Sequence, residues 1–566
     1  MDLTTDVSIV LSGEAGQGLK TIEKILVSCA KFSGYNVFTV KEYMSRIRGG
    51  NNSISLRISS KKINAPINKI DLLVIFNNHA MERLQGRITP NTIIAGKKEN
   101  IKDEYKSNNR IFEIDFEQIA SYLGNSLYSN SVVVGFLTTL LNIDFSITEK
   151  ITKNKFKGKK EKIVENNIKA ALKGREKAGG FADEFTVKIE KNEKIKQDLL
   201  LNGSEAVGLG ALAAGCNFVS SYPMSPSTAV LSFLAEQMED FDLIVEQTED
   251  EIAAINMSIG AWFAGARAFV TTSGGGFALM SEGLSLAGML ESPAVIHLAQ
   301  RPGPATGLPT RSEQGDLELA LYSGHGDFPR ILLAPGTLED AFYLTQKAFN
   351  LAAKFQVPVI ILTDQAFVDQ FYNINELELE KITNKQYLTK TDKNYKRYPL
   401  TSDGISPRGI PNYGNGLISA DSDEHDKEGH ITEDLDWRVK IVDKRLRKYK
   451  TISQEAIEPT LIGSKNCQTL IIGWGSTFNV IKEVHEKLKD KDVAILHFKQ
   501  IHPLHSQTAE YLNYGNKRII IENNATAQFG KLLKQQFGLK TDHKILKYNG
   551  LPFTVEELFD KVNEIL

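Results

Sequence analysis

The chain has 566 residues, too many for one compact core, so three or four domains are expected. Hydrophobic residues make up 42% and charged residues 24%, the profile of a folded globular protein and not of a disordered or fibrous one. Lys+Arg at 67 against Asp+Glu at 69 leaves a formal charge of -2, which gives no electrostatic case for nucleic acid or a membrane surface; Cys29, Cys216 and Cys467 are too dispersed for a disulfide framework, a zinc site or a self-contained iron–sulfur cluster.

The N-terminus carries acids ahead of a short strand-like run and no basic segment, so no signal peptide is expected. No apolar stretch approaches ~18 residues, so no transmembrane helix is expected either, and the protein reads as cytoplasmic. Val7-Ser8-Ile9-Val10-Leu11 suits a buried parallel strand. It runs into Gly13-Glu14-Ala15-Gly16-Gln17-Gly18 and then a helical pattern through Ile22, Ile25, Leu26 and Cys29. Backbone amides at such a helix start favour an anion, so Gly13, Gly16 and Gly18 are candidates for a phosphate. The pattern is neither GxGxxG nor a Walker motif, and a tight turn without a ligand explains it as well. Arg46-Ile47-Arg48-Gly49-Gly50 suits a phosphate or a carboxylate, or equally a solvated basic turn.

Apolar runs at 71–76 and 92–95 alternate with helix-like stretches, which argues for an α/β unit. From Lys150 to Lys177 ten lysines and Arg175 face only Glu161, Glu165 and Glu176, which suits an acidic partner or simply a solvated helical face. Gly179-Gly180 and the charged stretch to Gln197 read as a linker.

A second α/β unit begins near Leu199. Pro223 and Pro226 stiffen a loop, Tyr222-Pro223-Met224-Ser225-Pro226, that presents hydroxyls at the next helix start, where Ser227 and Thr228 are expected to cap. Glu246, Glu249, Asp250 and Glu251 precede a small-residue apolar helix. The dipole explains Glu249 and Asp250 there. Glu251 leads into the buried stretch, where desolvation raises a carboxyl's pKa and suits it to proton exchange; a plain helix cap is the competing explanation. The strand at 268–272 ends in Gly274-Gly275-Gly276, and the strand at 294–298 feeds a Pro/Gly-rich loop from Arg301 to Asp316. Arg301 and Arg311 each suit a bidentate clamp on a carboxylate, or a structural bond to loop carbonyls. From about Asn373 to Glu455 periodicity weakens, which predicts a long connection or extended arm. A third α/β unit follows from Thr469, with strands at 469–473, 493–496 and 518–521.

Taken in this order, the segments resemble the 2-oxoacid:ferredoxin oxidoreductases, specifically an alpha subunit of 2-oxoglutarate type with the gamma domain fused at its N-terminus. The Gly13 loop with Arg46-Ile47-Arg48-Gly49-Gly50 resembles the gamma domain. Tyr222-Pro223-Met224-Ser225-Pro226 resembles the family's Tyr-Pro-Ile-Thr-Pro loop, and Thr306-Gly307-Leu308-Pro309-Thr310-Arg311 with Glu313-Gln314-Gly315-Asp316 its substrate loop. Asp403–Arg408 and Glu424–His430 resemble the connecting segment, and Trp474-Gly475-Ser476 with Glu522-Asn523-Asn524 a transketolase C-terminal domain. The resemblance implies a gamma domain over 1–190, a pyrimidine-binding thiamine diphosphate domain over 198–372, a connecting segment over 373–455 and a transketolase C-terminal-like domain over 456–566.

It also implies thiamine diphosphate shared with a beta subunit that carries Mg2+ and a [4Fe–4S] cluster, coenzyme A as co-substrate, ferredoxin as acceptor and an α2β2 heterotetramer. Glu251 becomes the cofactor-activating glutamate, bonding the pyrimidine ring and promoting the form that takes the C2 proton. Tyr222 and Pro223 fall in the cofactor loop. Ser225 stands where the family usually has threonine, keeping the hydroxyl and losing a methyl, and Arg311 is the first choice for the substrate carboxylate with Arg301 in reserve. The implied reaction converts a 2-oxoacid and coenzyme A to acyl-CoA, carbon dioxide and two electrons. 2-Oxoglutarate leads, with pyruvate, branched-chain oxoacids or indolepyruvate as alternatives; a non-catalytic paralogue and a standalone nucleotide-binding protein are the competing classes.

Overall fold

The computed structural model describes residues 2–3, 5–45, 50–181 and 184–566. Arg46, Ile47, Arg48 and Gly49 of the basic turn lie outside the described residues. The chain forms two compact units, the first of residues 1–201, 369–376 and 554–557, the second of 202–368, 377–553 and 558–566.

In the first unit the strand Asp6–Glu14 is the centre of a mixed eight-stranded sheet. Leu72–Ile75, Ile93–Gly96 and Ile111–Glu113 extend it in parallel on one side, and Asn51–Ser59 and Asn36–Glu42 antiparallel on the other. Both faces are covered, and the residues alternate between them. Val7, Ile9, Leu11, Leu72 and Val74 enter one core, while Val10, Leu73 and Ile75 enter the second. This two-sided burial is why the strand reads as a continuous apolar run and not as an alternating one.

The lysine-rich stretch forms two helices, Phe145–Lys155 and Glu161–Ala178. Their lysines face solvent, and the inner face of the second is small: Ala170, Ala171, Gly174 and Ala178 are buried. A Cβ on Gly174 would stand 1.9 Å from the Val132 carbonyl, so glycine there permits close packing on the helix Ser129–Leu140. The expected linker is partly ordered: Thr186–Val187 pairs with Asp2–Leu3, and Glu193–Gln197 makes a short helical turn.

The second unit is built on a seven-stranded sheet. Ile244–Gln247, Phe218–Ser221, Ala268–Thr272, Ala294–Gln300, Pro358–Asp364 and Ile331–Leu333 run parallel in that spatial order, with Gln500–His502 antiparallel at the edge. A five-stranded sheet centred on Thr469–Trp474 follows. Its Leu470, Ile472, Trp474 and Leu496 share one core with Leu298, Leu332 and Ile360 of the larger sheet.

The connector differs from the sequence expectation. Its last part is a 20-residue helix, Leu435–Gln454, whose buried face carries Ile441, Lys444, Arg445, Lys448 and Ile452. Lys444 and Lys448 bond the buried Glu291 at 2.5 and 2.6 Å. Burial alone would raise the Glu291 carboxyl, but Lys448, Lys444 and Arg397 hold it well below the usual range. An inward face made of charges carries no apolar periodicity, which is why this helix was hidden in the sequence. The helix start at Thr228 also differs: the Ser227 hydroxyl donates to the Met224 carbonyl and does not cap.

Candidate functional site

Strand order in the seven-stranded sheet reverses between Phe218–Ser221 and Ala268–Thr272. The carboxyl ends of parallel strands at such a reversal leave a crevice, because the following loops diverge to opposite sides. The sequence places its candidate residues there. The Tyr222–Pro226 loop follows Ser221, Glu251 opens the helix Glu251–Phe263 after Gln247, the glycine turn follows Thr272, and Arg301 follows Gln300.

Glu251 is buried at 3% exposure, and its Oε1 has no hydrogen-bond partner. Desolvation raises its pKa, with Asp250 adding to the effect and its own backbone amide opposing it. Asp250 is the cap of this helix, its carboxylate accepting from the Ala253 amide at 2.8 Å, so Glu251 is released from capping. A Cβ on Gly276 would stand 2.4 Å from Glu251 Oε1 and 2.3 Å from Thr272 Oγ1; the turn tolerates only glycine against this carboxyl.

Arg301 is 9% exposed, and its Nη1 donates to the Ser225 carbonyl at 2.5 Å. This joins Arg301 to the Tyr222–Pro226 loop, on which Tyr222 and Ser225 are exposed. The Cβ and Cγ of Arg311 adjoin Gly550, the next residue, Ser312, donates its amide to the Gly550 carbonyl at 3.0 Å, and the Ser312 hydroxyl donates to Asp364, the residue paired with Gln300 across the strands. Residues 303–308 between the two arginines are exposed, turning at Gly307 with φ 53°, where a Cβ would strike the Pro302 carbonyl.

Asp316, Gln300 and Gln314 also belong to this region and were not singled out as site residues from sequence. Asp316 donates its amide to Gln300 Oε1 at 3.0 Å, and Gln300 Nε2 donates to the Thr363 carbonyl at 3.0 Å. Gln314 is clamped by Asn523: its amide donates to the Asn523 carbonyl at 2.7 Å, and its Oε1 accepts from the Asn523 amide at 2.9 Å. Asn524 and the Trp474 carbonyl hold the same side of the loop, so the C-terminal motifs fix its base. The pairing of a Pro/Gly-rich loop with two consecutive asparagines after a strand was the available signal.

In the first unit Gly16 and Gly18 take φ of 98° and 79°, and Gly18 stands at the N-terminus of the helix Leu19–Phe32. Gln17 Oε1 accepts from the Glu14 amide at 2.6 Å, closing the turn over Gly13, whose added Cβ would strike Gln17 and Phe76. A cavity of about 390 Å³ opens there, lined by Glu14, Gly16, Gly18, Lys20, Lys41 and Glu42 among others, with Lys41 paired to Glu23 at 3.2 Å. Among the described residues no group of three or more His, Cys, Asp or Glu is placed to hold a metal ion, and no helix is long and apolar enough to cross a membrane.

A parallel sheet with a crevice at its switch point is the class of fold that binds a cofactor at the carboxyl ends of its strands. Residues 209–444 match the family described as pyruvate flavodoxin/ferredoxin oxidoreductase, thiamine diphosphate-binding, and residues 8–177 that described as pyruvate ferredoxin/flavodoxin oxidoreductase. The 2-oxoacid:ferredoxin oxidoreductase subunit alpha of a Sulfolobus species is 32% identical, covering 99% of this chain and 97% of that one. The 2-oxoglutarate synthase subunit KorA of Archaeoglobus fulgidus is 40% identical over 40% of this chain and 64% of its own. The 2-oxoglutarate:ferredoxin oxidoreductase of Magnetococcus marinus, solved with 2-oxoglutarate, coenzyme A and succinyl-CoA bound, matches with a TM-score of 0.93 at 30% identity over 99% of both chains. The chain belongs to the 2-oxoacid:ferredoxin oxidoreductase alpha subunits, components of an oxidoreductase made of more than one kind of subunit.

Proposed function

We propose that this chain supplies the pyrimidine-binding half of the active site in a coenzyme A-dependent oxidative decarboxylation of 2-oxoglutarate to succinyl-CoA, in the cytoplasm. A beta subunit completes the site with Mg2+ and a [4Fe–4S] cluster, the assembly is α2β2, and ferredoxin takes the electrons. The observation that carries this reading is Glu251, a buried carboxyl with an unpartnered oxygen beside a turn that admits no side chain.

That geometry fits a flat heteroaromatic ring: burial raises the Glu251 pKa, which favours the carboxyl form whose O–H donates to a ring nitrogen. When bound, thiamine diphosphate supplies the electron sink that makes loss of carbon dioxide from a 2-oxoacid possible. The chain's own residues do the rest. Glu251 holds and returns a proton at the ring. Arg301, fixed to the Ser225 loop, holds the substrate carboxylate, and the Ser225 hydroxyl donates to a substrate oxygen. Tyr222 and Pro223 shape the exposed loop above them. Arg311, on the same loop as Arg301, is the second candidate for a substrate carboxylate.

In the first unit the Gly13, Gly16 and Gly18 turn opens a helix start onto a cavity that also holds Lys20, and the free amides of that helix start support binding of an anionic group; coenzyme A phosphate is the proposed ligand. The proposed division of the chain is a gamma domain to 190, a pyrimidine-binding domain over 198–372, a connector to 455 and a transketolase-like domain to 566. The choice of 2-oxoglutarate is supported by the names of the relatives from Archaeoglobus fulgidus and Magnetococcus marinus.

The test is co-expression with a beta subunit, followed by dye reduction with 2-oxoglutarate, pyruvate, branched-chain oxoacids and indolepyruvate. Turnover dependent on thiamine diphosphate and coenzyme A, with the highest kcat/KM for 2-oxoglutarate, is expected. Absence of turnover with every oxoacid overturns the reading.

A further inference from the structure

The loop from Arg301 to Asp316 leaves one strand end and is tied back to the next. It departs from Gln300, the last residue of Ala294–Gln300, and Arg301 follows directly. Its return is fixed at Ser312, the residue after Arg311, which is 2% exposed. The Ser312 amide donates to the Gly550 carbonyl at 3.0 Å, and its hydroxyl donates to Asp364 Oδ1 at 2.8 Å. The same hydroxyl accepts from the Ala366 amide at 3.1 Å. Asp364 ends the strand Pro358–Asp364 and pairs with Gln300 in the parallel register of the two strands. The loop therefore closes on neighbouring strand ends, with Arg301 at one foot and Arg311 at the other. Beyond Ser312 the Asp316 carboxylate lies against the glycine turn, where a Cβ on Gly274 would stand 2.5 Å from either oxygen.

Asp364 is 1% exposed and takes bonds from several directions. The Phe367 amide donates to its Oδ1 at 3.0 Å, which is the ordinary cap of the short helix Gln365–Asp369. Capping needs nothing more. Yet Ser312 shares that oxygen, and Oδ2 accepts from the hydroxyl of Ser476, in the turn after Thr469–Trp474 of the five-stranded sheet. A buried carboxylate ringed by donors is a stiff anchor, since a bond broken there leaves a polar group unpaired in the interior. One side chain thus joins the loop, the strand end and the C-terminal sheet. The stem of Arg311 is fixed as well: a Cβ on Gly550 would stand 3.0 Å from Arg311 Cβ and 3.3 Å from its Cγ.

We propose that Ser312, Asp364 and Ser476 are positioning residues for oxoacid binding: by hydrogen bonds through the Asp364 carboxylate, the C-terminal sheet fixes where Arg311 leaves the loop. This rests on the reading of Arg311 as a candidate for a substrate carboxylate. A guanidinium grips a carboxylate through parallel bonds in one plane, so its grip depends on where its stem is held. A displacement of about 1 Å in such a contact can cost about 10²-fold. Ser312 holds the backbone beside Arg311, Asp364 holds Ser312, and Ser476 holds Asp364 from the other side. None of the three is required to touch the substrate. They act through Arg311, and their loss is felt only while that guanidinium is there to be placed.

Ser312→Ala removes the hydroxyl and leaves the amide bond to Gly550. In the assembled enzyme it is expected to raise the KM for 2-oxoglutarate by at least about threefold, with kcat and the KM for coenzyme A little changed. The rise is expected to vanish when Arg311 is already alanine, because a residue that acts through a side chain has nothing to place once that side chain is gone. An unchanged oxoacid KM in Ser312→Ala overturns the proposal. So does an equal rise in the Arg311→Ala background, and so does a parallel rise in the KM for coenzyme A, which marks general loosening. Should Ser312→Ala fail to assemble, Ser476→Ala in the same two backgrounds decides by the same outcomes. Arg311→Ala alone separates the two levels. If it leaves the oxoacid KM unchanged, the reading of Arg311 fails and the proposal with it; if it raises KM while the serine variants act independently of it or not at all, only the positioning fails.

Discussion

Glu251 and its neighbour Asp250 divide two duties that one carboxylate cannot perform together. Asp250 takes the capping bond at the helix start, where the dipole favours an acid. Glu251, one residue later, is turned into the interior, and burial keeps its carboxyl protonated further up the pH scale than a free glutamate. A glutamine at 251 preserves the shape and removes the exchangeable acid. Glu251→Gln is expected to lower turnover by about 10²–10⁴-fold, the contribution of one positioned acid–base group, with assembly intact in size-exclusion chromatography. The two arginines are separated by the same kind of measurement. Arg301→Ala is expected to raise the oxoacid KM by at least about tenfold, and Arg311→Ala measured in the same way decides between the two arginines. By residue type the two were equal candidates, and only the family resemblance put Arg311 first, for its place in the Thr-Gly-Leu-Pro-Thr motif. A bond to the Ser225 carbonyl across the crevice has no sequence signature.

At the scale of elements, the glycine turn and the connector helix show opposite degrees of legibility. Gly274-Gly275-Gly276 after a strand was visible at once, because only glycine lets a helix begin this close to two carboxyl groups. A methyl on Gly276 would overlap Glu251 Oε1 and Thr272 Oγ1. Gly276→Ala is therefore expected to depress kcat by more than its effect on the thermal midpoint would suggest, a split readable in one set of assays. The helix Leu435–Gln454 was not legible, since Lys444, Arg445 and Lys448 occupy the buried face where a periodic reading looks for leucine. Those charges acquire meaning only through Glu291, more than a hundred residues away, and through Glu424, which Arg445 bonds at 2.9 Å. Removing one partner from such a triad leaves uncompensated buried charge. Glu291→Gln is expected to destabilise the second unit by about 3–5 kcal/mol in chemical denaturation, more than most single surface changes.

The whole chain is an incomplete electron-transfer device. Cys29, Cys216 and Cys467 are all buried and unpaired, and burial pushes the first two thiols up to about 12, far from the thiolate that iron requires. Two electrons released at the proposed site must leave through another chain. Ile252, Met257 and Phe263 on the Glu251 helix and Leu279 after the glycine turn are 38–52% exposed, which makes this face a candidate for the partner contact. Large exposed apolar side chains of this kind are favoured at the core of a subunit interface. The chain alone is accordingly expected to give no oxoacid-dependent dye reduction, and activity to grow with added beta subunit until it saturates. Leu279→Glu places an unpaired charge in that contact and is expected to move the titration to at least about tenfold higher beta-subunit concentration. An unmoved titration would place the partner on a different face, and the crevice would then need another means of excluding water.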